Sequence, residues 1–349
     1  MLPADETSLV ARGPGFSPTG ATSFQAQAAN ARQVIGGSLA LLAGRSVGAP
    51  PRRGKEADRA PRETRISGPL GTVLSFFTSR SRILQLRAVH RRDDRRMTLR
   101  RPLTEIHCHL LPGVDDGARD IDDSLELASM AAADGTRTIV VTPHVRSDFV
   151  TDLRLVRERF AELRLAVADL GIAVELHRGG ELGHDLVGTL DQSELEVIAV
   201  GPPHHRWLLV EAPFEGLHEE FAGATDELRR RGFGVVIAHP ERAAGLLEEG
   251  WPLLRQELEA GSRLQVNHWS LTGAHGAAAE EVALALLDRG LVDALASDAH
   301  PGWRRPTLTV GAAAAQAAGL DPRSAWTLVA EGPWGLVRHG LARRTAALI

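Results

Sequence analysis

The sequence predicts an α/β protein built on a parallel sheet or barrel, and three observations predict it. From Thr104 onward seven short strand-type runs alternate with helix-type runs, which is the order of a βαβ series. Runs such as T-I-V-V-T at 138–142 and G-V-V-I-A at 234–238 are continuously apolar and β-branched, as strands covered on both faces are. Six of the seven runs lead into side chains able to bind a metal, and in β/α barrels the chemistry sits at the carboxyl ends of the strands.

The elements follow in order. T-E-I-H-C-H-L-L-P-G-V-D-D-G at 104–117 reads as a short strand entering a loop. His107 and His109 are two apart, so on a strand they share a side. Asp116 follows once Pro112 and Gly113 have turned the chain. Two imidazoles and a carboxylate converging at a strand end suggest a metal centre. H-x-H by itself is equally a structural pair; what decides is that the pattern recurs. Asp120–Gly135 is a helix with an Asp-rich start and a glycine stop. The strand 138–142 ends in Pro143-His144, and Leu153–Gly171 is a long amphipathic helix. The strand 172–176 is followed by His177-Arg-Gly-Gly-Glu181, and the strand 207–210 by Glu211. Helix 219–231 precedes strand 234–238, which leads into His239-Pro-Glu-Arg242. Helix 252–260, strand 263–266 with Asn267-His268, helix 277–289 and strand 293–297 with Asp298-Ala-His300 follow. Helices at 311–318 and around 325–330 complete the series. One or two polar residues at strand ends are ordinary loop composition. Nine metal-capable side chains placed there are a pattern.

Composition bounds the rest. The chain has 349 residues and a net charge of −4, but residues 1–100 carry 17 Lys and Arg against 7 Asp and Glu, which leaves the remainder at −14. An acidic body argues against nucleic acid as its partner. The one cysteine, Cys108, rules out an intrachain disulfide framework and fits a reducing, cytoplasmic setting. Tyrosine is absent, and arginine outnumbers lysine 39 to 1, an arginine bias we read as coding bias.

Residues 1–96 mix Gly, Pro, Ala, Ser and Arg without sustained periodicity and are expected to form a disordered basic extension. Its apolar runs, 34–43 and 73–77, are too short for a transmembrane segment. The start lacks the basic region of a signal peptide. The cluster Arg91-Arg-Asp-Asp-Arg-Arg is read as a solvated tail, or as sequence upstream of a true start at Met97. A compact domain is expected over 97–349.

From Met97 to the end the chain resembles the PHP (polymerase and histidinol phosphatase) superfamily, and within it the bacterial capsule-type, manganese-dependent protein-tyrosine phosphatases. The residues that carry the resemblance are I-H-C-H-L-L-P-G-V-D-D-G (106–117), V-T-P-H (141–144), G-G-E (179–181), V-E-A-P-F (210–214), V-I-A-H-P-E-R (236–242), S-L-T-G-x-H-G (270–276) and A-S-D-A-H (296–300). The resemblance implies a distorted (β/α)7 barrel of PHP type and a three-metal site. His107, His109 and Asp298 would hold one ion with a bridging Glu181. Glu181, Glu211 and His239 would hold a second, and Asp116, His144 and His300 a third. Imidazole and carboxylate ligation suits Mn²⁺, Fe or Zn²⁺; manganese is implied by the family alone. Arg242 and Arg305, at family-like positions, would clamp the phosphate, with Arg304 as the alternative to Arg305. The implied reaction is hydrolysis of a phosphomonoester on a phosphotyrosine-bearing protein, by resemblance the tail of a bacterial tyrosine autokinase governing exopolysaccharide or capsule export.

Other readings are weighed on the same residues. Cys108 lacks the C-x5-R phosphate loop of a thiol phosphatase and is read as a small buried residue. Asp115 competes with Asp116 as a ligand, and the family spacing favours Asp116. His268 is placed at the pocket, and His177, His184, His204, His205, His218 and His275 in loops or at the surface. Glu241 is assigned mainly to the surface. The alternatives in function are a small-molecule phosphatase of histidinol-phosphate type, a nuclease or editing module, and a non-catalytic barrel. The loop Gly183-His-Asp and the segment Glu331-Gly-Pro-Trp-Gly depart from the family pattern and are expected to alter the pocket mouth.

Overall fold

In the computed structural model, which describes residues 101–341, β1 (Leu103–Cys108) enters the core with all six residues buried. The extension 1–96, with its basic cluster, lies outside the described residues. α1 (Ile121–Asp134) is capped by Asp120, whose side chain accepts from Asp123 N, and ends at Gly135 with φ 106°. β2 (Thr136–Val141) pairs parallel with β1 and breaks at Thr142-Pro143 before the two-residue β3 (His144–Val145). α2 (Leu153–Asp169) turns Leu153, Val156, Leu163 and Val167 inward, the stripe expected of a helix lying on a sheet.

β4 (Glu175–Arg178) lies three residues later than the run at 172–176. Ile172 and Val174 pack against the outer core, and pairing with β2 starts only at Glu175. Gly179-Gly180 then separates β4 from β5 (Glu181–Leu182). A Cβ on Gly179 would lie 2.7 Å from Val140 Cγ1, so the chain crosses its neighbours here only without a side chain. α3 (Gln192–Ile198), which periodicity missed, is short and starts with an Asp191–Glu194 capping box.

β6 (Trp207–Glu211), α4 (Glu219–Arg230), β7 (Gly234–Ala238), α5 (Trp251–Glu259), β8 (Arg263–Asn267), α6 (Ala277–Asp288) and β9 (Ala294–Ala296) follow within one or two residues of expectation. α7 (Leu308–Ala317), α8 (Pro322–Thr327) and α9 (Glu331–His339) complete the described chain.

All ladders are parallel, in the orders β1-β2-β4 and β3-β5-β6-β7-β8-β9. Because β3 continues β2 and β5 continues β4, these are seven strand tracks. The bonds Gly179 N to Val141 O and Glu181 N to Pro143 O carry the ladder across the breaks. The ring closes where Cys108 bridges Ala299, with Asp298 N donating to His107 O at 2.9 Å and His109 N to Ala299 O at 3.0 Å. The fold is therefore a (β/α)7 barrel of PHP type. It is distorted because β4 and β6 share no ladder in the amino-terminal half of the barrel.

The amino-terminal end of the barrel is filled by α9. Leu336 and Val337 join Ile106, Val140, Leu209 and Val236 in one buried cluster, and Trp207 Nε1 donates to Leu336 O at 2.8 Å. The segment Glu331-Gly-Pro-Trp-Gly is thus the start of a helix at the floor, not a feature of the pocket mouth. The expected helix around 325–330 resolves into the end of α8 and the turn from it to α9.

A candidate metal centre at the carboxyl ends of the strands

The strands deliver their terminal side chains to one place. His107 lies at the register shift between Glu105 and Cys108 near the end of β1, and His109 follows the strand. His144 opens β3, Glu181 opens β5, Glu211 closes β6, His239 follows β7, and Asp298 and His300 follow β9. All eight are buried, and the ninth candidate, Asp116, is exposed on its loop. Gly117 lets that loop pass over the first strand: a Cβ there would lie 2.5 Å from His109 Cβ. His239 and Asp298 carry φ values of 34° and 48°, a left-handed backbone that costs about 1–3 kcal/mol and persists where surroundings over-determine it.

The donor atoms converge. His107 Nε2 and His109 Nε2 are 3.2 Å apart. Glu181 Oε2 lies 3.3 Å and 3.4 Å from them, and Asp298 Oδ1 3.6 Å and 3.3 Å. His144 Nδ1 is 2.8 Å from Glu181 Oε2, and His239 Nε2 is 2.7 Å from Glu181 Oε1. Asp116 Oδ1 lies 3.1 Å from His300 Nε2 and 3.5 Å from His144 Nε2. Four overlapping groups have donors within 4.8 Å of one another: His109, Asp116, His144 and His300; His107, His239 and Asp298; His107, His109 and Glu181; and His144, Glu181 and Glu211. All nine residues are brought together. The groups cut across the expected sets: Glu211 lies with His144 and Glu181, His239 lies with His107 and Asp298, and His109 joins Asp116, His144 and His300. Arg146 Nη1 donates to the Glu211 carboxylate at 2.6 Å.

Hydrogen bonding on the far side fixes which nitrogen offers a lone pair. The Asp298 carboxylate only accepts, so Asn267 Nδ2 donates to it at 2.9 Å. Asn267 Oδ1 then accepts from Gln265 Nε2, and Gln265 Oε1 accepts from His107 Nδ1 at 2.9 Å. His107 Nε2 is left as a lone pair facing the cluster. In the same way His109 Nδ1 donates to Asp115 Oδ2 at 2.8 Å and His300 Nδ1 to the Asp298 carbonyl at 2.9 Å, each leaving Nε2 free. Metal-ligating histidines are oriented in this manner.

This arrangement fits divalent cations. Lone pairs of His107, His109, Glu181 and Asp298 face one another at separations near the ~3.0–3.5 Å edges of a polyhedron with metal–ligand bonds of about 2.1 Å. Glu181 Oε2, His144 Nδ1 and His239 Nδ1 are buried without a hydrogen-bond partner. Burial and the neighbouring Glu181 carboxylate push Glu211 up to about 7. Against the burial that opposes it, the Glu181 and Asp298 carboxylates draw the His107 imidazole upward. Both shifts mark a site short of positive charge.

The arginines divide. Arg242, in the short turn Pro240–Arg242, places Nη1 3.3 Å from Asp298 Oδ2 and lies over the Phe214 ring. Arg304 is buried, with Nη1 2.6 Å from the same oxygen. Arg305 is exposed beside it.

Several other residues take places that the sequence did not assign. Asp115 is not a competing ligand; it accepts from His109 Nδ1, His144 N and Gly117 N and so positions two ligands. Glu241 is buried, not solvated, and accepts from Asn267 N and Ser270 Oγ; burial pushes it up to about 7. His275 is half-buried and pairs with Ser270 Oγ at 2.8 Å. His268 is fully buried against Trp269 rather than lining the pocket. Cys108, as expected, is buried, and burial pushes its thiol up, so it is no nucleophile. Gln265, Asn267 and Arg146 were missed. The signal for the first two was present, since R-L-Q-V-N alternates polar with apolar along a buried strand. Gln265→Leu, which cuts the chain from His107 to Asp298, is expected to weaken metal affinity about 10- to 100-fold. Metal titration followed by calorimetry checks this; unchanged affinity would remove the orienting role.

Fold and donor set together define a class, the metal-dependent barrel enzymes of PHP type. The model of the family described as "Capsular polysaccharide synthesis, CpsB/CapC" matches residues 103–322, and the chain belongs to that family. It is 32% identical over 199 residues to the tyrosine-protein phosphatase YwqE of Bacillus subtilis, covering 57% of this chain and 77% of that protein. It is 26% identical to the tyrosine-protein phosphatase CpsB of Streptococcus pneumoniae, covering 58% of this chain and 85% of that one. Among solved structures, a chain from the crystal structures of YwqE and CpsB, described as metal-dependent tyrosine phosphatases, superposes with a TM-score of 0.60 at 27% identity, covering 69% of this chain and 97% of that one.

Proposed function

We propose that this chain is a metal-dependent protein-tyrosine phosphatase, that residues 97–349 form its catalytic domain, and that Mn²⁺ is the ion it uses. The observation that carries this reading is the convergence of His107, His109, Glu181 and Asp298 donors within 3.2–3.6 Å, with Arg242 at its edge. His107, His109, Glu181 and Asp298 would hold one ion; Glu181, Glu211 and His239 a second; Asp116, His144 and His300 a third. When bound, such ions lower the pKa of water and offset the charge of a phosphoryl group undergoing in-line attack.

The chain's own residues supply the rest. Gln265, Asp115 and the Asp298 carbonyl keep the three Nε2 lone pairs aimed inward. Arg242 is held to Asp298 at 3.3 Å through one nitrogen only, so its other edge is available to phosphate oxygens. Arg305, exposed on the loop after β9, is the second donor, while Arg304 is buried with Nη1 2.6 Å from Asp298. The substrate is a phosphotyrosine-bearing protein, the tail of a bacterial tyrosine autokinase in capsule or exopolysaccharide control being the partner the family suggests. A cytoplasmic setting is supported by the single free cysteine. Among the described residues no helix is long and apolar enough to cross a membrane.

The test uses the full chain, stripped of metal and reloaded with Mn²⁺, Zn²⁺ or Mg²⁺, assayed on a phosphotyrosine peptide and on histidinol phosphate. Mn²⁺-dependent turnover of the peptide, lost in His144→Ala, is expected. Preference for histidinol phosphate would overturn the substrate, and inactivity of folded, metal-loaded protein would overturn the enzyme.

A further inference from the structure

Among the described phenylalanine and tryptophan residues, three are exposed: Phe149 at 37%, Phe214 at 43% and Trp303 at 37%. They come from three different loops, after β3, β6 and β9; two rest on candidate ligands and the third on Arg304, which itself reaches Asp298. Phe149 stacks on His144 at 4.8 Å with the rings 17° from parallel. Phe214 stacks on His239 at 5.9 Å and carries the Arg242 guanidinium at 4.5 Å. Trp303 lies under Arg304 at 5.7 Å and meets Trp269 edge-on. Apolar rings left in water are unfavourable in proportion to their exposed area, and rings gathered at one functional mouth mark a binding surface.

The placement says what they bind. His144 and His239 both reach Glu181, at 2.8 Å and 2.7 Å, so Phe149 and Phe214 flank the carboxylate at the heart of the cluster. Trp303 stands against Arg304, whose Nη1 is 2.6 Å from Asp298. A phosphate seated on the cluster must send its ester substituent out between these rings. A flat aromatic substituent meets them in stacked or edge-on contact. A phosphoserine offers one methylene there, and its peptide backbone would have to descend into the collar.

We propose that Phe149, Phe214 and Trp303 form an aromatic collar that grips the ring of an aryl phosphomonoester, and that this collar sets the preference for phosphotyrosine over phosphoserine. The proposal rests on the phosphatase reading above. Its chemistry is that of an aryl phosphate; a phosphotyrosine peptide and phenyl phosphate distinguish a protein source from a small-molecule one.

The test compares kcat/KM for phosphotyrosine and phosphoserine peptides of one sequence, and for phenyl phosphate, using the full chain loaded with Mn²⁺. Phe149→Leu, Phe214→Leu and Trp303→Leu, singly and combined, keep an apolar side chain and remove the ring. Each single change is expected to lower the aryl-to-alkyl ratio about fivefold, and the triple variant to lower it further. Binding of phenylphosphonate against methylphosphonate, measured by calorimetry, needs no turnover and should show the same lost preference. A ratio that stays constant, or equal loss on both peptides, overturns the collar. If the wild-type protein turns over no phosphotyrosine peptide, the phosphatase reading falls, and the phosphonates still decide the collar: no preference for the phenyl form overturns it.

Discussion

Glu181→Gln is expected to abolish phosphatase activity while leaving the barrel folded, with kcat/KM on a phosphotyrosine peptide falling at least about a thousandfold. No other carboxylate of the site lies so close to so many of the candidate histidines. Its two oxygens lie within 3.4 Å of His107, His109, His144 and His239. Burial alone would raise its carboxyl, yet the His107 and His144 imidazoles hold it well below the usual carboxylate range. Glutamine keeps the shape but turns one oxygen into an amide donor that cannot bind a cation. The check is activity together with metal content per chain by elemental analysis. Activity within tenfold of wild type at full metal content would remove Glu181 from the centre.

Chelation should lower thermal stability by a large step. A ligand present at about 1,000 times its Kd stabilises the folded state by about 4 kcal/mol, which for a domain of this size corresponds to roughly 8–16 °C in Tm. Here the site gathers the buried carboxylates Glu181, Glu211 and Asp298, with Arg146, Arg242 and Arg304 as their permanent counter-charges. Removing cations from such a site leaves like charges facing one another. Calorimetric unfolding before chelation, after it, and after restoring Mn²⁺ measures the effect. A Tm unmoved by chelator would mean that the cluster is self-sufficient.

The alternation of strands and helices was legible because each strand is a short β-branched run ended by a turn. The ligand candidates were legible because they stand at those ends, next to Pro112, Pro143 and Pro240. What was not legible depends on contacts across the barrel. Nothing local in Glu331-Gly-Pro-Trp-Gly signals a helix; it is held by Trp207, Leu336 and Val337 packing into the floor. Spacing alone does not separate Arg304 from Arg305, since the distinction is which guanidinium Asp298 reaches. Glu241 reads as a surface residue in A-H-P-E-R until Asn267 and Ser270, on the neighbouring strand and its following turn, are seen to enclose it. Two-residue strands such as β3 and β5 have no period to detect.

Closure of the barrel has a consequence for how the enzyme is made. The seam between β9 and β1 runs through the backbone of the candidate ligands themselves: Asp298 N bonds His107 O, His109 N bonds Ala299 O, and Ser297 N reaches the Glu105 carboxylate 192 positions away. Such distant pairings form late in folding. A chain still emerging from the ribosome can display its first histidines long before their partner aspartate exists. Full metal capture and activity are therefore expected only once the last strand is in place, and a product truncated before residue 298 is expected to be inert rather than partly active.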